Sequence, residues 1–345
     1  MKYRLLGQSG LRVSELCLGT MTFGESSGFG AKREECRQML DAYLAAGGNF
    51  IDTANIYSGG TSEEFLADMI AAERKQLVVA SKFSMTTNAG DPNAGGNSRK
   101  NLQQSLHDSL RRLKTDYLDL YWVHAWDQMT PLEELLRALD DAVRAGKILY
   151  VGFSNIPAWT MARTQTMAEL RGWSRSIAMQ LHYSLVERNV ERELLPCAAA
   201  LGMAVTAWSP LAGGILTGKY SRDAKIRATQ SGRLVTTGWG NMFMSERNLA
   251  IADVLIAEAK RLGYTAGQLA IRWLLDRPGG VIPILGARSA AQLQELLAVT
   301  TIPMDAAAAA ALEQISRIEL GYPSSLLGGT AGRRMVYGDH VADFL

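Results

Sequence analysis

The chain is expected to fold as a (β/α)8 TIM barrel spanning residues 1–345 as one domain. Three observations predict this. Short apolar runs alternate with longer amphipathic segments, the order of parallel strands joined by crossover helices. The runs are apolar along their length, as in strands buried on both faces. Eight of them fall within about 270 residues, which suits one closed barrel better than two doubly wound halves.

The opening segment KYRLLGQSGLRVSE has a turn at Gln8-Ser9-Gly10 between two short runs, and reads as an N-terminal hairpin plugging the barrel's base. The eight strand candidates follow as ELCLG, NFID, QLVVASK, YLDLYWVH, ILYVGFS, SIAMQ, MAVTAWSP and GVIPILG. Helical spacing fills most of the intervals, as in REECRQMLDAYLAAG, SEEFLADMIAAE, SRKNLQQSLHDSLRRLK, PLEELLRALDDAVRAG and VERELLPCAAALG. Several of these open with Ser, Thr or Pro and close with Gly, the usual helix start and stop residues. The alanine run Ala306 to Ala311 sits between Asp305 and Glu313 and reads as a capped helix. Two segments stand outside the repeat: a long polar insertion at 219–248 after the seventh strand, and a loop-rich tail at 320–345. Long loops of this kind often serve as lids or binding loops. The first is read as a mobile lid over a bound dinucleotide, with a passive surface insertion as the alternative.

Composition narrows the function. With 47% hydrophobic and 20% charged residues the chain is globular rather than disordered. A formal charge of +2 with no basic run argues against nucleic acid as a main partner. The cysteines, Cys17, Cys36 and Cys197, are odd in number and scattered, which argues against a disulfide framework or a zinc site and suits a reducing cytoplasm. Few histidines and no H-E-x-x-H leave no basis for a metal. The N-terminus lacks a signal-peptide core, and no apolar run has membrane-spanning length, so no membrane association is expected.

In such barrels chemistry sits at the C-terminal ends of the strands. Those ends read Gly19-Thr20, Asp52, Lys82, His124, Ser154-Asn155, Gln180, Trp208-Ser209 and Gly286. An acid, a base, an imidazole and two amides thus converge at one mouth, with Tyr57 in the loop after Asp52. Each alone has an ordinary structural reading: a turn aspartate, a salt-bridging lysine, a core histidine. Together they form a general-acid site. A phenol titrates near pH 10, and a nearby ammonium lowers that value. Lys82 supplies the charge, Asp52 holds Lys82, and His124 is placed to hydrogen-bond a carbonyl oxygen. No nucleophile or metal is present to attack the carbonyl, so a hydride from a nicotinamide is the natural second reactant.

The stretch GGILTGKY has the G-x-x-x-x-G-K skeleton of a P-loop, but Tyr220 stands where Ser or Thr binds magnesium, so ATP hydrolysis is rejected. Its glycines and Lys219 remain candidates for phosphate contact. No G-x-G-x-x-G occurs. A second phosphate candidate lies where the last strand ends at Gly286 and a helix starts near Ser289 beside Arg288.

Taken together, NFIDTANIYSGGTSEE, VASK, LYWVHAWD, GFSN, AWSPLAGGILTGKY and QLAIRWLLDRPGGVIPILGARS resemble the aldo-keto reductase superfamily. The resemblance runs from Leu16 to Leu296. It implies NADPH/NADP+ as cofactor, a small-molecule carbonyl substrate reduced to an alcohol, and Asp52, Tyr57, Lys82 and His124 as the catalytic four, with Tyr57 the proton donor. It places Gly19, Thr20 and Met21 near the nicotinamide ribose, Ser154, Asn155 and Gln180 on the carboxamide, and Trp208 against the nicotinamide ring. Ser209, Pro210, Leu211, Gly213 and Lys219 match the pyrophosphate loop, Arg288 a 2′-phosphate contact, and Gln292 and Glu295 the adenosine end. Arg233 resembles an arginine clamping the cofactor. Leu296 departs from the asparagine many members carry there. The WSPLAGGILTGKY loop resembles bacterial reductases and the channel-associated β subunits more than the mammalian aldose reductase branch. That keeps a second reading, an NADPH-binding regulatory subunit with slow turnover. Phe23, Phe83, Trp126, Tyr183 and the tail are expected to wall an apolar substrate pocket.

Overall fold

The computed structural model describes residues 1–25, 28–220 and 243–340. Eight parallel strands close into a barrel in the order β10-β3-β4-β5-β6-β7-β8-β9. They are β3 (Cys17–Gly19), β4 (Phe50–Asp52), β5 (Val78–Phe83), β6 (Leu118–Val123), β7 (Ile148–Ser154), β8 (Ser176–His182), β9 (Ala204–Trp208) and β10 (Ile282–Leu285). Each falls on one of the eight apolar runs. Helices Arg33–Ala45, Thr61–Met69, Arg99–Leu113, Leu132–Arg144, Ala158–Arg171, Leu194–Ala200, Glu246–Leu262 and Ala266–Leu275 fill the crossovers, and Ala290–Leu297 follows β10. The helix Ala306–Ser316 is capped by Asp305, whose side chain accepts from the Ala308 N–H.

The hairpin β1 (Tyr3–Leu5) and β2 (Arg12–Ser14) pairs antiparallel. It feeds Leu6 and Val13 into the interior cluster containing Cys17, Phe50, Val78, Trp122, Ala178 and Ile282. The Gln8 N–H donates to the Gly202 carbonyl at 2.9 Å, just before β9 begins, so the hairpin does close the base.

Strand side chains alternate between two cores. Val78 and Ala80 face the interior and Val79 and Phe83 the helical shell. The same parity turns Asp52, Lys82, Gln180 and Trp208 inward, in the layer above that interior cluster. Gly152 shows how tight the interior is: a Cβ there would lie 2.3 Å from the Trp122 ring.

Two boundaries differ from the sequence reading. The tail is not mainly loop: it forms the helices Ser324–Gly328 and Thr330–Tyr337, short enough that glycine punctuation hid them. The insertion ends earlier than expected, because Ser245 caps a helix starting at Glu246. Residues 221–242, and with them the lid reading and Arg233, lie outside the described residues.

Candidate active site

Asp52 is the last residue of β4, in register with Gly19 on β3 and Ala80 on β5. Two residues further along β5 the same face presents Lys82. Its ammonium is fully buried and donates to Asp52 Oδ2 at 2.5 Å, to the Thr53 carbonyl at 2.8 Å and to Tyr57 Oη at 3.0 Å. Those three acceptors match the three protons of an ammonium. Asp52 Oδ1 accepts from Gln180 Nε2 at 3.0 Å, so both carboxylate oxygens are held.

Tyr57 owes its place to the loop behind it. Ser58, Gly59 and Gly60 have φ of 49°, 66° and 101°, a left-handed run that reverses the chain into the helix Thr61–Met69. Glycine takes such angles without strain, which accounts for the Gly-Gly pair. Glu63 then locks the helix: it is buried and accepts from Ser81 Oγ at 2.5 Å and Arg112 Nε at 2.7 Å.

His124 directly follows β6, and its N–H donates to the Phe83 carbonyl at 2.9 Å. Its ring meets Tyr57 edge-on, with centroids 6.2 Å apart and planes at 82°. Burial first, and the Lys82 charge second, push the imidazole down to about 3, so it is neutral at neutral pH. Its Nδ1 is enclosed and bonds no protein atom. For Lys82, burial acts to lower the pKa, but Asp52 and Tyr57 together outweigh it, and the ammonium persists above its ordinary range.

The remaining mouth residues come from neighbouring strand ends. Ser154 Oγ donates to the Gln180 carbonyl at 2.8 Å, and Asn155 Nδ2 to the His124 carbonyl at 2.8 Å. Gly19 ends β3, where a Cβ would lie 2.6 Å from Ile284 Cγ2. Thr20 is buried and bonds the Asp52 carbonyl, and Met21 follows, half-buried. Trp208 ends β9 with its indole Nε1 enclosed and unbonded. Beyond it, Ser209, Ala212, Gly213 and Gly214 all have positive φ, giving the turn Ser209, Pro210, Leu211 to Thr217 a tight irregular course, not a P-loop helix start. Lys219 folds back over Gly214, where a Cβ would lie 2.6 Å from its Nζ.

The far phosphate patch is built differently from expectation. Ser289 caps the helix Ala290–Leu297, but its first N–H, from Ala290, already donates to Glu35 Oε1 at 2.6 Å. A carboxylate thus takes the first of the helix-end donors assigned to phosphate. Arg288 is exposed just after Gly286, and its N–H donates to Gln292 Oε1 at 3.0 Å. Glu295 is exposed one helical turn on, and its carbonyl accepts from Gln268 at 2.9 Å.

Three of the expected pocket walls lie away from the barrel mouth, two of them, Phe83 and Tyr183, by strand parity. Phe23, Phe83 and Tyr183 are fully buried in the shell core. Phe83 stacks on Tyr121 at 5.2 Å, and Tyr183 donates to Glu191 Oε1 at 2.6 Å. The physical reason is strand parity. Phe83 and Tyr183 are odd-numbered steps from the inward Lys82 and Gln180, so they point outward. Parity instead selects His182, which the sequence reading passed over. His182 pairs in register with Trp208 and stacks on it, with centroids 4.0 Å apart and planes at 10°. Trp126 does line a pocket of about 380 Å³ beside the mouth, with Gln128, Asn155, Leu181, His182 and Leu194.

Comparison with known proteins agrees with this architecture. The profile of the Aldo/keto reductase family matches residues 15–317. The chain is 33% identical over 337 residues to aryl-alcohol dehydrogenase GME11368 of Pestalotiopsis microspora, covering 95% of this chain and 85% of that protein. It is 35% identical over 318 residues to the uncharacterized oxidoreductase YrpG of Bacillus subtilis (strain 168), covering 88% and 93%. It is 31% identical over 345 residues to the NADP(+) aryl-alcohol dehydrogenase of Phanerodontia chrysosporium, covering 95% and 89%. The chain belongs to the aldo-keto reductase family and is an oxidoreductase. Among the described residues no single helix is long and apolar enough to cross a membrane, and no cluster of His, Cys, Asp and Glu is arranged to hold a metal ion.

Proposed function

We propose that the protein reduces aldehydes and ketones to alcohols with NADPH, that aryl carbonyl compounds are among its substrates, and that Tyr57 is the proton donor. The observation that carries this reading is the chain from the buried Asp52–Lys82 pair to the half-buried Tyr57, with contacts of 2.5 and 3.0 Å. An ammonium at that distance stabilises the phenolate relative to the phenol, so the hydroxyl gives up its proton as negative charge grows on a substrate oxygen. Asp52 keeps the ammonium charged and aimed. His124, neutral at working pH, donates a hydrogen bond to the same oxygen without adding a charge that would compete with Lys82.

A nicotinamide cofactor, when bound, supplies the hydride. Several features support such a ligand at this mouth. Trp208 ends its strand with an enclosed, unbonded indole N–H. The positive-φ, glycine-rich turn after it lies against Lys219, the charged candidate for phosphate contact. Ser154, Asn155 and Gln180 supply the amide-binding set, and Arg288 is the charged group for a 2′-phosphate. The printed names of the relatives, aryl-alcohol dehydrogenases and one NADP(+) enzyme, support the same reading. The WSPLAGGILTGKY loop supports placement in the bacterial-type branch. An intact lysine relay supports an enzyme that turns over, in preference to a slow regulatory subunit.

The test is a panel of aliphatic and aromatic aldehydes and ketones assayed by the loss of NADPH absorbance. Turnover of aromatic aldehydes is expected. Tight NADPH binding with no turnover of any member contradicts it.

A further inference from the structure

We propose that His182 is a specificity-determining residue, which makes the pocket beside the mouth a site for uncharged aromatic carbonyl compounds carrying a hydrogen-bonding ring oxygen. The proposal rests on the carbonyl-reductase reading above and concerns the substrate class of that site.

His182 joins the two halves of the site. Its imidazole stacks on Trp208 at 4.0 Å and meets Phe243 edge-on at 5.6 Å, so the ring is held from two sides. It also lines the pocket with Trp126, Asn155, Leu181, Val190 and Leu194. Asn155 is the link to the chemistry, since its amide holds the His124 carbonyl at 2.8 Å. Trp126 is itself braced edge-on by Trp159 at 5.6 Å. Flat, fixed aromatic walls suit a planar ring.

The polar character of the pocket is specific. None of its lining residues among those described is charged: its polar members are Gln128, Asn155, His182 and the Trp126 indole. Burial lowers the His182 pKa more than Glu187 raises it, so the imidazole offers no cation to a carboxylate. A carboxylate entering here would lose water without gaining a counter-ion, which is costly. A neutral ring hydroxyl meets the opposite case. His182 Nε2 is enclosed and bonds no protein atom. A ligand hydroxyl reaches it when the imidazole turns toward the pocket, and then pairs a nitrogen that is otherwise unsatisfied.

The test compares kcat/KM for benzaldehyde, para-hydroxybenzaldehyde and para-carboxybenzaldehyde in the wild type, His182→Leu and His182→Gln. The wild type is expected to favour the hydroxyl compound over benzaldehyde and to use the carboxylate at least about tenfold less well than benzaldehyde. His182→Leu should cut the hydroxyl-to-plain ratio about tenfold, and His182→Gln, which keeps a polar side chain, should restore part of it. An unchanged ratio in His182→Leu overturns the proposal. So does a wild type that shows no hydroxyl preference or uses the carboxylate as well as benzaldehyde, a result that needs no variant to fold. A wild type that reduces no carbonyl compound at all overturns the reductase reading and this proposal together, whereas turnover with the wrong ranking overturns this proposal alone.

Discussion

The ammonium of Lys82 lies 3.0 Å from the phenolic oxygen of Tyr57. The two residues are on different elements, one next to last in β5 and one in the segment after β4. The parallel pairing of β4 with β5 brings them together. The contact makes the phenol's acidity depend on a charge that is itself buried and held by Asp52 at 2.5 Å.

Lys82→Met removes that charge. The account predicts a loss of activity at neutral pH of about 10²–10⁴-fold, the typical worth of general acid catalysis. It also predicts lower stability, by about 3–5 kcal/mol, because the buried Asp52 loses its ion-pair partner. The sign with pH follows from the raised Lys82 pKa. The lysine's contribution is fully present below its ordinary value of 10.5 and is lost as pH rises beyond it. A pH–rate profile and denaturant melts of both proteins check this. An unaltered profile in Lys82→Met contradicts the coupling.

His124 predicts an acid-side effect on stability. Its pKa falls from 6.5 unfolded to about 3 folded, so between those values the unfolded chain binds a proton that the native one does not. Stability therefore drops as pH falls through that window, by about 1.4 kcal/mol per pH unit from this group. His124→Asn should flatten the acid limb of the stability curve by that slope. Urea melts across the window read it directly. The same reasoning predicts no inflection near pH 6.5 from His124 in the pH dependence of kcat.

Arg288 carries the cofactor preference alone if Glu35 keeps the first N–H of the neighbouring helix. A charge-assisted hydrogen bond is worth roughly 1.5–3 kcal/mol. Arg288→Ala should weaken NADPH binding by about 10- to 100-fold and leave NADH nearly unchanged. Fluorescence titration with both cofactors decides. Equal losses make Arg288 structural.

Arg188 tests the scaffold separately from the chemistry. Its buried guanidinium binds Glu191 through two contacts of 2.8 Å, Glu313 at 2.7 Å and Ser316 Oγ at 2.7 Å. It ties the segment after β8 to the helix Ala306–Ser316. Arg188→Met should lower stability by about 3 kcal/mol, the low end for a broken buried pair, because Glu313 keeps Arg277 at 2.8 Å. NADPH affinity measured on the folded variant should stay within a few-fold of wild type.

The strand-end residues were legible because an apolar run that stops at Asp52, Lys82 or His124 marks its own C-terminus. Tyr57 was legible from its place in the loop after Asp52, and the Gly59-Gly60 pair beyond it marks the turn that positions it. Residue type and strand parity give different readings of the pocket walls. Phe83 and Tyr183 look like pocket walls by chemistry, yet each follows an inward residue and so faces the shell. His182 was hidden for the converse reason, as an imidazole at the end of an apolar strand with no motif around it. Glu35 was invisible because its contact with Ala290 spans 255 positions. The tail helices were obscured by Gly321, Pro323, Gly328 and Gly329, which punctuate a segment that is helical in short pieces.

Tyr57→Phe removes one oxygen from the relay and leaves the ring, the loop and the Lys82–Asp52 pair in place. The direct measurement is kcat for an aromatic aldehyde under saturating NADPH, alongside the cofactor's dissociation constant. The account predicts unchanged NADPH binding and a fall in kcat of about 10²–10⁴-fold. A Tyr57→Phe enzyme that binds NADPH normally and keeps most of its kcat would contradict the assignment of the proton donor.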